Sequence, residues 1–81
     1  MERTKTAQRT IKTSDIAMNN NFFVIKGINH NYSLYHSYAN EHNELVIILR
    51  HTSHVRKIMN EAVITCHKDG TSTVEFNKYE F

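Results

Sequence analysis

The stretch Leu45-Val46-Ile47-Ile48-Leu49-Arg50-His51-Thr52-Ser53-His54-Val55-Arg56-Lys57-Ile58-Met59-Asn60-Glu61-Ala62 is where the fold of this chain is decided. Its first five residues are continuously apolar, too short to span a membrane, and their branched side chains favour a strand buried on both faces. Polar residues interrupt at 50–53, and Val55, Ile58, Met59 and Ala62 then recur at helical spacing. The pattern predicts a helix over about residues 54–62 lying on the strand. Thr52 or Ser53 can accept a hydrogen bond from an early helical N–H, which would account for the change of period.

Working outward, Phe22-Phe23-Val24-Ile25 has strand chemistry, Gly27 marks its end, and Asn29-His30-Asn31 supplies turn-forming side chains. Residues 32–42 carry two patterns. Tyr32, Leu34, His36 and Tyr38 alternate as in a strand, while Leu34, Tyr35, Tyr38, Ala39 and His42 form a helical stripe. The strand is preferred because the preceding turn is short and tyrosines suit a sheet. Asp69-Gly70 between two β-prone runs signals a hairpin, with Cys66 expected opposite Thr73 and Thr65 opposite Val74. The expected fold is therefore α+β: a small two-layer domain with a mainly antiparallel sheet of four to five strands and one helix packed on it. Residues 1–20 read as a polar, basic, partly ordered N-terminal arm, and residues 21–81 as a single α+β domain.

With 81 residues the chain buries only about 60–65% of its unfolded surface, so one core must take nearly every large apolar side chain. Hydrophobic residues make up 40% and charged residues 22%, a globular rather than a disordered balance. The net charge of +2 is concentrated in residues 1–20, where Arg3, Lys5, Arg9 and Lys12 face only Glu2 and Asp15. Such an arm suits phosphate contacts, and equally suits a merely solvated N-terminus. The single cysteine, Cys66, has no internal disulfide partner and is expected reduced. No signal-like segment follows the N-terminal charges and no run approaches the length of a membrane span, so a cytoplasmic protein without membrane association is expected.

Six histidines are the clearest compositional excess. Zinc would need three or four convergent ligands, and His51 and His54 with His67 or Cys66 are the candidates. The paired-cysteine and His-Glu-x-x-His spacings are missing, so no metal and no other cofactor is expected. Arg50, His51, His54, Arg56 and Lys57 gather three fixed positive charges and two imidazoles within eight residues, a group that could hold phosphate or serve acid–base cleavage of RNA. Cys66 and His67 are neighbours in a strand and point to opposite faces, which argues against a thiol nucleophile. The remaining feature is a surface rich in tyrosine and amide side chains, with Asn31, Tyr32, Tyr35, His36, Tyr38 and His42 as the expected partner-binding residues.

These observations point to a small non-catalytic protein-binding module. It would act as an inhibitor or modulator of a host enzyme or nucleic-acid-processing complex, of the kind encoded by phages or mobile elements. The alternative is a nucleic-acid-binding protein or small ribonuclease using Arg3, Lys5, Arg9 and Lys12 together with the 50–57 cluster. Homodimerisation through an unpaired edge strand is a third expectation.

Overall fold

The computed structural model describes residues 2–81, and these form an almost entirely β structure. The strands are β1 (Glu2–Lys12), β2 (Ile16–Asn19), β3 (Phe22–Ile25), β4 (Ser33–Ala39), β5 (Leu45–Ser53), β6 (Ile58–Cys66) and β7 (Thr71–Glu80). A single 3-10 turn at Thr13–Asp15 is the sole helical element among the described residues. Five strands make one antiparallel sheet in the order β1-β7-β6-β5-β4, and β2 and β3 form a separate hairpin.

The α+β expectation is overturned, because the described residues contain no packed helix. Residues 54–57 form a turn, and β6 begins at Ile58. Val55, which belonged to the apolar stripe of the expected helix, is 95% exposed. Lys57 has φ 55°, a left-handed conformation that a right-handed helix cannot contain. The ambiguity has a simple origin. Ile58 and Ala62 share a face at a separation of four whether the period is 3.6 or 2. What decides between them is long-range: as a strand, residues 58–66 pair with all of β5, from Ser53↔Ile58 to Leu45↔Cys66. A lone nine-residue helix would gain no such ladder and is marginal by itself.

The sheet has two unlike faces. On one, Leu49, Ala62, Ile64, Val74 and Phe76 form a row of buried side chains with Ile25 and Tyr32. The β2–β3 hairpin lies over this row, with Ile11, Ile16, Phe23, Ile28, Ile47 and Cys66 packed around it. Asn20, at φ 56°, makes the tight turn of that hairpin, so the Asn-rich stretch connects two strands. Tyr32 is tied to the hairpin by reciprocal backbone bonds with Phe23 of 2.8 and 2.9 Å. No strand or helix of the described chain covers the opposite face.

The strand reading of residues 33–39 holds, with one change. A bulge between Leu34 and His36 breaks the alternation, so Leu34 pairs with Leu49 while His36 pairs with Ile48 on the opposite face. The Asp69-Gly70 turn is also present, one residue longer than expected. Gly70 has φ 88°, Asp69 Oδ1 accepts from the Thr71 N–H and hydroxyl, and Cys66 falls opposite Ser72, with Thr65 opposite Thr73. Glycine meets that backbone requirement at no steric cost.

Candidate functional site

The hairpin covers only part of its face of the sheet, and beside it a cleft remains. After β3, Gly27 at φ 86° reverses the chain, and Ile28 N–H closes the turn by donating to the Ile25 carbonyl at 3.0 Å. The buried Tyr32 anchors the other end of this loop, which holds His30 over the sheet. His30 stacks on His51 of β5, with ring centroids 5.1 Å apart and planes at 24°, and meets Tyr32 edge-on at 5.8 Å. Burial, and after it the neighbouring His51, holds the His30 imidazole below its ordinary pKa.

The larger cavity beside this pair has a volume of about 310 Å³ and is lined by His30, His51, Ser53, Arg56, Ile58, Asn60 and Lys78. A second of about 190 Å³ shares His30 and Asn60 with it and continues toward Arg9, Ile28, Tyr32 and Phe76. Arg9 sits over the Phe76 ring, 5.8 Å from its centroid. Together they form a trough with cations at both ends and two imidazoles in its wall.

The open face carries polar order instead. Arg50, Glu61 and Asn77 stand in register across β5, β6 and β7. Arg50 Nε donates to Glu61 Oε2 at 2.9 Å, and Asn77 Nδ2 and the Tyr79 hydroxyl donate to Glu61 Oε1 at 3.0 and 3.1 Å. The Arg50 guanidinium lies 3.5 Å from the centroid of the Tyr35 ring. At the far end of this face, His67 bridges Glu44 Oε2 through Nδ1 and Thr73 Oγ1 through Nε2, both at 2.7 Å. That row ties the turn after β4 to the turn after β6. Its carboxylate–imidazole–hydroxyl order is one that activates nucleophiles elsewhere, but Thr73 lies within the pairing of β7 and neither cavity reaches it.

The structure divides the residues singled out from sequence. Of the cationic group, Arg9, His51 and Arg56 line the cleft. Arg50 is engaged by Glu61 on the other face, His54 and Lys57 are exposed in the β5–β6 turn, and Arg3, Lys5 and Lys12 lie exposed along β1. Of the partner-binding group, Tyr32 is a core residue at 1% exposure. Tyr35, His36 and Tyr38 are exposed on β4, the last two with stacked rings, while Asn31 and His42 lie in exposed loops. His51 and His67 stand toward opposite ends of the β5–β6 pair, and among the described residues no three potential ligands gather to hold a metal. Sequence reasoning placed His30 only in a polar turn and passed over Asn60 and Lys78, because their convergence with His51 depends on the β3–β4 loop folding onto strands far along the chain. Glu61 did carry a signal, since it mirrors Arg50 about the turn at 54–57.

No helix of the described chain is long and apolar enough to cross a membrane. Comparisons with protein-family models, with curated proteins and with solved structures found no match.

Proposed function

We propose that the chain is a small non-catalytic protein-binding module that takes an extended segment of its partner against the free edge of β4. The observation that carries this reading is the contrast between the two edges of the sheet. Both edge strands carry a bulge, but β1 is edged with Arg3, Lys5, Arg9 and Lys12, charges that deter strand addition. β4, Ser-Leu-Tyr-His-Ser-Tyr-Ala, has no Asp, Glu, Lys or Arg and no proline. All seven of its residues are exposed, including Leu34, Tyr35 and Tyr38. A partner strand would gain main-chain hydrogen bonds from this edge and side-chain contacts from the tyrosines, which order at low entropic cost. Occupying a segment that the partner needs elsewhere would make the module an inhibitor or modulator. The free thiol of Cys66 is in keeping with a cytoplasmic setting.

The test is capture of a partner from lysate by wild type and by Tyr38→Lys and Leu34→Lys, with and without nuclease. A stoichiometric protein that survives nuclease and is lost from both variants supports the reading. Capture unchanged in both variants would remove the β4 edge from consideration. Light scattering that shows a concentration-dependent dimer, again lost in Tyr38→Lys, would identify a second copy of the chain as the occupant.

Nucleic-acid binding or RNA cleavage stands second, supported by the meeting of Arg9, His51 and Arg56 in one cleft. Against it, Arg50 is engaged on the other face, Arg3, Lys5 and Lys12 lie along the β1 edge, and His54 and Lys57 stand exposed in the β5–β6 turn outside the cleft lining. Binding of this kind would fall steeply with salt.

A further inference from the structure

The cleft beside the hairpin is distinct from the β4 edge and does not depend on the reading above. We propose that it is a binding site for a nucleoside monophosphate, with the phosphate at the Arg56–Lys78 end against His51 and the nucleoside extending past Asn60 into the smaller cavity. Three observations support this assignment.

The first is charge. Arg56 and Lys78 lie at one end and Arg9 at the other. Lys78 Nζ is paired with the Glu80 carboxylate at 3.3 Å, an exposed partner at 71% that phosphate would displace. Glu61 borders the smaller cavity, but its carboxylate is held on the opposite face by Arg50, Asn77 and Tyr79. A dianionic phosphate therefore meets two fixed cations and the edge of an imidazole pair, and guanidinium in particular offers it paired N–H donors.

The second is the mixed lining of the smaller cavity, where Thr6, Asn60 and Asn77 stand beside the apolar residues. The larger cavity has Ser53 and His51 beside the cations, whereas the smaller has Ile28, Tyr32 and Phe76 as apolar wall with Arg9 above the Phe76 ring. A ligand with one charged end and one flat end that carries both apolar surface and hydrogen-bonding groups, as a base does, fits that lining. The Arg9 guanidinium, lying over the buried Phe76 ring, offers a planar surface on which a base can stack.

The third is size. The two volumes of about 310 and 190 Å³ meet at His30 and Asn60, and together they reach the range of small-molecule sites, roughly 300–1,000 Å³. His30 and His51 are already stacked across the junction, so the wall exists before a ligand arrives.

The test is titration of the full chain, followed by imidazole and amide NMR shifts, with each of the four nucleoside 5′-monophosphates. Inorganic phosphate, the unphosphorylated nucleosides and a single-stranded oligonucleotide serve as the comparison probes. The expected result is saturable movement of the His30 and His51 signals by at least one monophosphate and competition by inorganic phosphate. Affinity should weaken at least tenfold in Lys78→Ala and in Arg56→Ala, both rim positions at which wild-type thermal midpoints are expected. Should either alanine variant fold poorly, Lys78→Gln and Arg56→Gln provide the same reading. The proposal is overturned if no monophosphate binds at millimolar concentration, if the nucleosides bind as well as their phosphates, or if the charge removals leave affinity unchanged. An oligonucleotide that binds more tightly and responds to Lys5→Ala and Lys12→Ala rather than to the rim variants would likewise overturn it, assigning the anion surface to the β1 edge.

Discussion

Arg50 and Glu61 form an ion pair with Nε and Oε2 2.9 Å apart, directly opposite each other on β5 and β6, on the sheet face that no other element covers. The Glu61 side chain is 5% exposed and that of Arg50 27%, so the carboxylate is desolvated by its own partners. Removing one member leaves the other charge poorly solvated, which costs more than the pair contributes over an apolar substitute.

Arg50→Ala is accordingly expected to lower unfolding free energy by roughly 2–3 kcal/mol, the lower side of what buried pairs show because Arg50 is partly solvated. The double variant Arg50→Met/Glu61→Leu should recover most of that loss. Chemical denaturation of the two variants with wild type provides the comparison, and equal losses in both would show that the guanidinium acts through packing on Tyr35 instead.

The turn between β5 and β6 makes a prediction opposite to that of a helix. Val55→Asp should change stability by less than about 0.5 kcal/mol, since the side chain is 95% exposed. Lys57→Gly should be neutral or stabilising by up to about 1 kcal/mol, because glycine relieves the positive φ, whereas glycine inside a helix would cost about 1 kcal/mol. Thermal unfolding of both variants decides the matter.

The buried row of the sheet should respond in the usual manner of a close-packed core. Ile64→Ala and Leu49→Ala, each at 0% exposure, are expected to cost about 2–5 kcal/mol, enough to unfold much of a domain this small. Loss of far-UV β signal or of the cooperative transition would register it. A cost below 1 kcal/mol at both positions would place the core elsewhere.

Acid sensitivity should trace in part to Glu44. Its carboxyl is held below the usual range, first by the hydrogen bond to His67 and then by that from Asn40. A carboxyl whose folded pKa is depressed adds stability that is fully present above its unfolded pKa and is lost as pH falls through the folded value. Denaturation midpoints of wild type and Glu44→Gln should therefore differ at neutral pH and converge in acid. Parallel curves throughout would mean that the His67 contact does not favour the ionised form.

Much of the strand content could be read locally. Phe22-Phe23-Val24-Ile25 and Leu45-Val46-Ile47-Ile48-Leu49 are β-branched or aromatic runs that become β3 and the first half of β5. Residues 33–39 were also legible as a strand, although the bulge after Leu34 was not, because it arises from pairing with β5. The site was far less legible. His51 and Arg56 stood out within a cluster of five, but Arg50 points to the other face because neighbours in a strand alternate, and His54 and Lys57 stand exposed in the turn.

By itself the sequence determined that there is one small core, that residues 22–25 and 45–49 are strands, that Asp69-Gly70 reverses the chain, and that tyrosines crowd residues 32–38, while it left β1 as a loose arm and the start of β6 as a helix. These are local matters, fixed by side-chain shape and turn chemistry over a few residues. Only the tertiary structure decided that residues 58–62 extend along β5 instead of coiling over it, that Glu61 is buried beneath Arg50, that His30 reaches His51, and that β4 forms a sheet edge among the described residues. Each depends on pairing between distant segments, where the ladder energy of nine facing residues outweighs a local period that fits either form.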